Sequence, residues 1–203
     1  LFLHYSLLSR NRVSGKPGAV QSANVENLIL TGTFTINATG NSQNNLITGN
    51  NAANQLNGDA GNDTLNGGAG DDILTGWSGA DTMLGGLGND IYLVENAGDV
   101  VTENLNQGTD TVSSRLTYTL PINIENLTMT GTAAVNGTGN SQNNVIIGNN
   151  AANQLNDGVG NDTLNGGAGN DILNGGTGTN TLTGGTGNDI FKFTTTGHID
   201  NNY

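Results

Sequence analysis

The sequence predicts an all-β chain, a β-solenoid of short parallel strands, and three observations carry that prediction. The first is a period of nine. Residues 67–93 divide into GGAGDDILT, GWSGADTML and GGLGNDIYL, with glycine in slots one and four, aspartate in slot six and a large apolar residue in slot eight. The second is how far the frame runs. Units start at Gly40, Gly49, Gly58, Gly67, Gly76 and Gly85, and again at Gly139, Gly148, Asp157, Gly166, Gly175 and Gly184. The third is that the two arrays are copies at an offset of 99 residues: GNNAANQLN stands unchanged at 49–57 and 148–156. A nine-residue period matches neither a helix nor one long strand. It marks a unit that must stack on its neighbours to bury its apolar face.

Slots seven to nine, such as Ile73-Leu74-Thr75, predict a strand of three residues whose middle side chain points inward. The eighth slots are Ile47, Leu56, Leu65, Leu74, Met83 and Tyr92, then Ile146, Leu155, Leu164, Leu173, Leu182 and Phe191. All are large and apolar, a regularity that a disordered low-complexity chain would not keep. Slots one to six predict a turn, where glycine permits unusual backbone angles and close approach of neighbouring chains. Two nonapeptides then make one revolution. At a strand spacing of ~4.8 Å the stack should form a rod about 50 Å long.

Residues 24–93 form the first array, 94–138 a spacer and 139–192 the second array; 1–23 and 193–203 are divergent ends. In the spacer the frame is lost, but Val100-Val101-Thr102, Thr111-Val112-Ser113 and Leu116 to Leu120 favour strand. Ninety-nine residues is eleven nonapeptides, an odd number, so two-per-turn stacking predicts wider turns in the spacer. The opening LFLHYSLLSRNR has its basic residues after its apolar run, the wrong order for a secretory signal. It reads as a cap or a remnant.

Composition narrows the function. Only 33% of residues are hydrophobic and 4% aromatic, too few for an ordinary core, so something else must hold the chain together. Five Lys plus Arg face 17 Asp plus Glu, a net charge of −12, which excludes nucleic acid as a partner and points to a cation. There are no cysteines, hence no disulfide or thiolate site. No run approaches the ~20 apolar residues of a membrane span.

Stacked turns would place aspartate upon aspartate. Calcium resolves the repulsion, because it takes six to eight oxygens from carboxylates and carbonyls, and glycine-rich turns expose carbonyls. Magnesium fits less well, since it demands octahedral geometry and sheds water reluctantly. The candidate carboxylates are the sixth-slot Asp63, Asp72, Asp81, Asp90, Asp162, Asp171 and Asp189.

At GGAGDDILT, GGLGNDIYL, GGAGNDILN and GGTGNDIFK the sequence resembles the hemolysin-type calcium-binding nonapeptide of the repeats-in-toxin (RTX) family. The spacer is similar to segments found between such arrays. The resemblance implies a right-handed parallel β-roll that binds several Ca²⁺ ions, type I export from a bacterial cell and calcium-induced folding outside it. It further implies calcium between turns one revolution apart, held by sixth-slot carboxylates and by carbonyls of the first four slots. Carried over, Asp63 pairs with Asp81, Asp72 with Asp90 and Asp171 with Asp189. The carbonyls include those of Gly68, Gly70, Gly86, Gly88, Gly167, Gly169, Gly185 and Gly187.

Four units depart from this pattern. Slot six is Asn45, Asn54, Asn144 or Asn153, and slot four is Gln43, Ala52, Gln142 or Ala151. These turns should keep the coil and bind calcium weakly or not at all, with stacked asparagines in its place. Asn180 interrupts the pairing of Asp162, Trp77 takes a second slot and Asp157 a first. Asp59 and Asp71 read as solvated turn residues, Trp77 as a surface side chain, Glu26 and Glu125 as structural contacts, and His4 and His198 as incidental. Neither HExxH nor GxSxG occurs, so the chain reads as no enzyme. The readings left are a calcium-dependent folding and secretion module, or a surface-layer or fibre element with self-association or cell-surface contact. An ice-binding face fails, because the third slots form no threonine ladder.

Overall fold

The computed structural model describes residues 10–14, 19–20, 26–193 and 199–201. His4, His198 and most of both divergent ends lie outside the described residues. Within them every regular element is a parallel strand, and no helix is long and apolar enough to cross a membrane.

Alternate nonapeptides feed opposite sheets. Leu46–Thr48, Thr64–Ala69, Thr82–Leu87 and Val100–Thr102 end a six-stranded sheet, whereas Gln55–Asn57, Ile73–Thr75 and Ile91–Val94 belong to one of eleven strands. Within each sheet, register partners stand one revolution apart: Leu65 pairs with Ile47 and Met83, and Leu74 with Leu56 and Tyr92. The spacing is 18 residues, as between Asp63 and Asp81, so one revolution is two nonapeptides.

Ile47, Leu65 and Met83 line one inner face, and Leu56, Leu74 and Tyr92 line the other. All six are buried to within 1% of full enclosure, as are Ile146, Leu155, Leu164, Leu173 and Leu182. The predicted ladder is thus the core, with Phe191 partly buried at its end.

The spacer keeps the coil turning. Ile91 is in register with Thr111, Thr111 with Asn126, and Asn126 with Val145. These three revolutions are 20, 15 and 19 residues long, the same separations that divide Asp90 from Asp110, Thr111 from Asn126 and Glu125 from Asn144. Two are wider than a turn of the arrays and one is narrower, and together they equal three ordinary turns. The eleven-stranded sheet therefore runs unbroken through the spacer. Opposite it, the six-stranded sheet stops at Val100–Thr102 and a five-stranded sheet starts at Tyr118–Thr119. Val112, Leu120, Ile124, Leu127 and Met129 carry the apolar column across this break.

The odd count of nonapeptides has a simple outcome. Eleven units make five and a half revolutions, so equivalent strands of the two copies lie on opposite faces. Thr64–Ala69 is in the six-stranded sheet, while its copy Thr163–Ala168 is in the eleven-stranded one. The nine-residue frame also reaches one unit further than its glycines, since Asp99-Val100-Val101-Thr102 repeats slots six to nine and Val101 is buried.

Because the core is one residue thick, each rung counts. Leu74→Ala should destabilise the calcium-loaded protein by about 2–5 kcal/mol, whereas Thr64→Ala on the exposed side should stay within about 0.5 kcal/mol. Denaturant unfolding of both variants in calcium checks this.

Candidate metal centres

Between strands the chain makes two kinds of turn. In the first, slots two and four have left-handed backbone: Gly68, Gly70, Gly86, Gly88, Gly167, Gly169, Gly185 and Gly187 have φ between 93° and 134°. Asp59 and Trp77 adopt the same region with φ of 78° and 66°, at a cost of roughly 1–2 kcal/mol each. Trp77 is 54% exposed, a surface residue.

Slot one is glycine for a different reason, which is space. A Cβ on Gly67 would lie 2.3 Å from Asp72 Oδ2 and 2.5 Å from the carbonyl oxygen of Gly85, one turn on. On Gly166 it would lie 2.4 Å from Asp171 Oδ2 and 2.6 Å from the Gly184 oxygen. A carboxylate oxygen and a carbonyl oxygen from the next turn thus converge on one small space.

The sixth-slot side chains form columns along both edges. The Asp63 N–H donates to Asp81 Oδ1 at 2.8 Å, Asp72 to Asp90 at 2.7 Å, and Asp171 to Asp189 at 2.9 Å. The columns continue into the spacer, where Asp81 donates to Asp99 Oδ1 at 3.2 Å and Asp90 to Asp110 Oδ1 at 2.8 Å. One oxygen of each carboxylate is satisfied in this way. At Asp99 the other accepts the Glu95 and Asn96 N–H groups, but Oδ2 of Asp63, Asp72, Asp81, Asp90, Asp162, Asp171 and Asp189, and of Asp110, is buried with no hydrogen-bond partner. Burying an anionic oxygen unpaired is costly, and a cation is the usual remedy.

The asparagine turns close themselves instead. Asn54 Oδ1 accepts from the Asn50 N–H at 2.9 Å, and Asn54 Nδ2 donates to the Ile36 carbonyl, one turn back, at 2.7 Å. Asn50 Oδ1 accepts from the Ala52 N–H at 3.0 Å, and Asn50 Nδ2 donates to the Phe34 carbonyl at 2.9 Å. Asn149 and Asn153 repeat the arrangement, with Nδ2 bonds of 2.8 Å to Ala133 and 2.6 Å to Val135. Amide hydrogens here meet the carbonyls that face the turn. The asparagines pair within a turn, four residues apart, rather than stacking as a ladder. Asn180 is the mixed case. It accepts from the Asp162 N–H at 2.8 Å, but its buried Nδ2 stands without a partner in a glycine-type turn.

Electrostatics follow burial. Desolvation, reinforced by neighbouring carboxylates, pushes Asp63, Asp72 and Asp162 up to about 6, and Asp90 and Asp110 up to about 7, from an ordinary 3.8. Asp81 and Asp171 are raised by the same desolvation.

Glu103 and Asp110 join Asp90 although they lie outside the glycine-bearing units, whereas Asp99 has its second oxygen closed by the Glu95 and Asn96 N–H groups. Asp90, Glu103 and Asp110 are all buried, and each offers an oxygen within 4.8 Å of the others'. The signal in the sequence for Asp110 was an acid followed by a strand triplet, DTVS, and Glu103 carries no such signal. Glu125 accepts the Asp110 N–H at 2.9 Å, and Asp71 Oδ1 accepts the Asn89 N–H at 2.8 Å on the exposed edge.

A parallel β-roll with hard oxygen donors collected at its turns defines a calcium-binding repeat protein. The chain belongs to the RTX calcium-binding nonapeptide repeat family, which it matches in four copies over residues 37–65, 57–92, 138–173 and 156–191, more than half its length. No curated protein matches the chain.

Two outcomes follow from these turns. Asp72→Ala should remove roughly one bound calcium, Asn54→Ala should leave the count unchanged, and Asn180→Asp should add roughly one, as read by calorimetric titration. The raised carboxylates set the pH dependence. In chelator, their protonation stabilises the folded chain below about 4, and that contribution is lost as pH rises through 6 to 7. Protons also compete with the metal, so calcium affinity should fall as pH is lowered from 7.5 to 5.5. Binding at pH 6 should release protons, measured by calorimetry in buffers of different ionisation enthalpy.

Proposed function

We propose that this chain is the calcium-binding repeat module of a secreted bacterial protein, and that it folds when it meets calcium outside the cell. The observation that carries the reading is the row of buried, unpartnered Oδ2 atoms on the sixth-slot aspartates. Asp63, Asp72, Asp81, Asp90, Asp162, Asp171 and Asp189 would hold the ions together with carbonyl oxygens of the glycine turns, among them Gly68, Gly70, Gly86, Gly88, Gly167, Gly169, Gly185 and Gly187. Calcium supplies positive charge and many coordination positions. The chain supplies preorganised oxygens and a space too small for a Cβ.

Without the ion, a net charge of −12 opposes compaction. A core one residue thick must offset an ordering cost of roughly 1–2 kcal/mol per residue. Binding free energy then becomes folding free energy, because the sites do not exist in the unfolded chain. Extracellular calcium modules work at roughly 10⁻⁴–10⁻³ M, far above cytosolic levels, which keeps the chain unfolded until export. The role is one of binding and structure rather than catalysis.

Circular dichroism in chelator, titrated separately with calcium and magnesium, tests the proposal. A cooperative gain of β signal is expected with millimolar calcium and not with equal magnesium. A β-rich spectrum already complete in chelator at pH 7.5, unchanged by calcium, would overturn it.

A further inference from the structure

The end of the first array is built differently from its interior. Inside the array a turn is covered by another nine-residue unit 18 residues on, as Gly67 is by Gly85, and the Gly76 turn is covered at the same spacing by Val94 to Asp99. The turn at Gly85 is covered instead by ENLNQGTD, residues 103–110. The revolution there is lengthened, and Asp90 and Asp110 are 20 residues apart. Glu103 falls two nonapeptides after Gly85, where the array would place a first-slot glycine. Its carboxylate lies over the turn below: Oε2 accepts from the Gly86 N–H at 3.3 Å and from the Tyr92 hydroxyl. The same hydroxyl accepts the Gly85 N–H at 2.7 Å. Tyr92 is the one eighth-slot residue with a hydroxyl; its copy in the second array is Phe191.

Three carboxylates meet at this junction. Asp90 and Asp110 are each 1% exposed and Glu103 is 4% exposed, with oxygens mutually within 4.8 Å. Oδ2 of Asp90 and Oδ2 of Asp110 are both buried without a hydrogen-bond partner. Among the described residues the salt bridge found is Arg115 to Glu95, elsewhere on the spacer, and it does not offset them. Three anions that close, out of water, demand a counter-charge.

We propose that Asp90, Glu103 and Asp110 form a distinct calcium site, tighter than those of the array interior, which clamps the first array to the spacer. The proposal rests on the calcium-module reading. It adds a site outside the nonapeptide pattern, with two of its three carboxylates drawn from the spacer. A higher count of anionic ligands raises calcium affinity, so this site fills before the interior turns. Tyr92 is a positioning residue, which orients Glu103 without facing the ion as an anion itself. Because Asp90 lies on one turn and Glu103 and Asp110 on the next, the first ion bound joins two revolutions and gives the remaining turns a template.

Calorimetric titration of the whole chain with calcium at pH 7.5 tests this, comparing wild type with Glu103→Gln, Asp110→Asn and Tyr92→Phe. Wild type should show a tight phase of roughly one ion ahead of the main phase. Glu103→Gln keeps an acceptor for Tyr92 and Gly86, and should lose the tight phase while still folding at saturating calcium. Asp110→Asn should do the same. Tyr92→Phe should keep the ion with affinity reduced severalfold. If wild type binds calcium without a tight phase, or both carboxylate variants retain that phase and the full count, this site is overturned and the module reading stands. If wild type binds no calcium, both fail.

Discussion

Everything in this molecule depends on columns of buried carboxylates whose charge the protein leaves uncompensated. Each column repeats every 18 residues within the arrays, lengthening to 20 from Asp90 to Asp110, and each aspartate spends Oδ1 on the amide of the turn below it, as Asp81 does for Asp63 at 2.8 Å. At Asp63, Asp72 and Asp171, Oδ2 faces a space bounded by the next turn's carbonyl. Five basic residues face 17 acidic ones, and the apolar ladder beside the columns is thin. The fold and the candidate site are therefore one object: the unpartnered carboxylate oxygens lie at the joints between turns.

The asparagine turns show the alternative within the same chain. Where Asn50 and Asn54 replace glycine and aspartate, amide hydrogens reach the Phe34 and Ile36 carbonyls and the turn closes on itself. Such turns stand at the start of each array, before the aspartate turns begin. The chain thus combines self-sufficient rungs with rungs that await a cation.

The spacer reconciles two copies that the arithmetic of the repeat sets out of phase. Its unequal turns, wide, narrow and wide again, keep the eleven-stranded sheet continuous and interrupt only the opposite face. The wide first turn brings Glu103 and Asp110 over Asp90. The narrow second turn, from Thr111 to Asn126, falls where the six-stranded sheet gives way to the five-stranded one. Changes of turn length thus both cap one array and start the next.

The sequence by itself determined the solenoid, because a strict period of nine with an apolar eighth slot leaves a chain one way to bury Leu65, Leu74 and Met83. It also determined the sixth-slot aspartates, since identical positions in stacked units must lie above one another. It separated the aspartate turns from those of Asn45, Asn54, Asn144 and Asn153, whose fourth slots lack glycine. Only the tertiary structure decided how each turn is closed. The pairing of Asn50 with Asn54, the space at Gly67 and the stranded Oδ2 atoms are set by contacts within and across a revolution, which spacing alone does not specify. Nor could it show that Glu103 and Asp110 join Asp90, because they leave the nine-residue frame. What brings them together is the length of one turn, and turn length outside a repeat is settled by packing rather than by pattern.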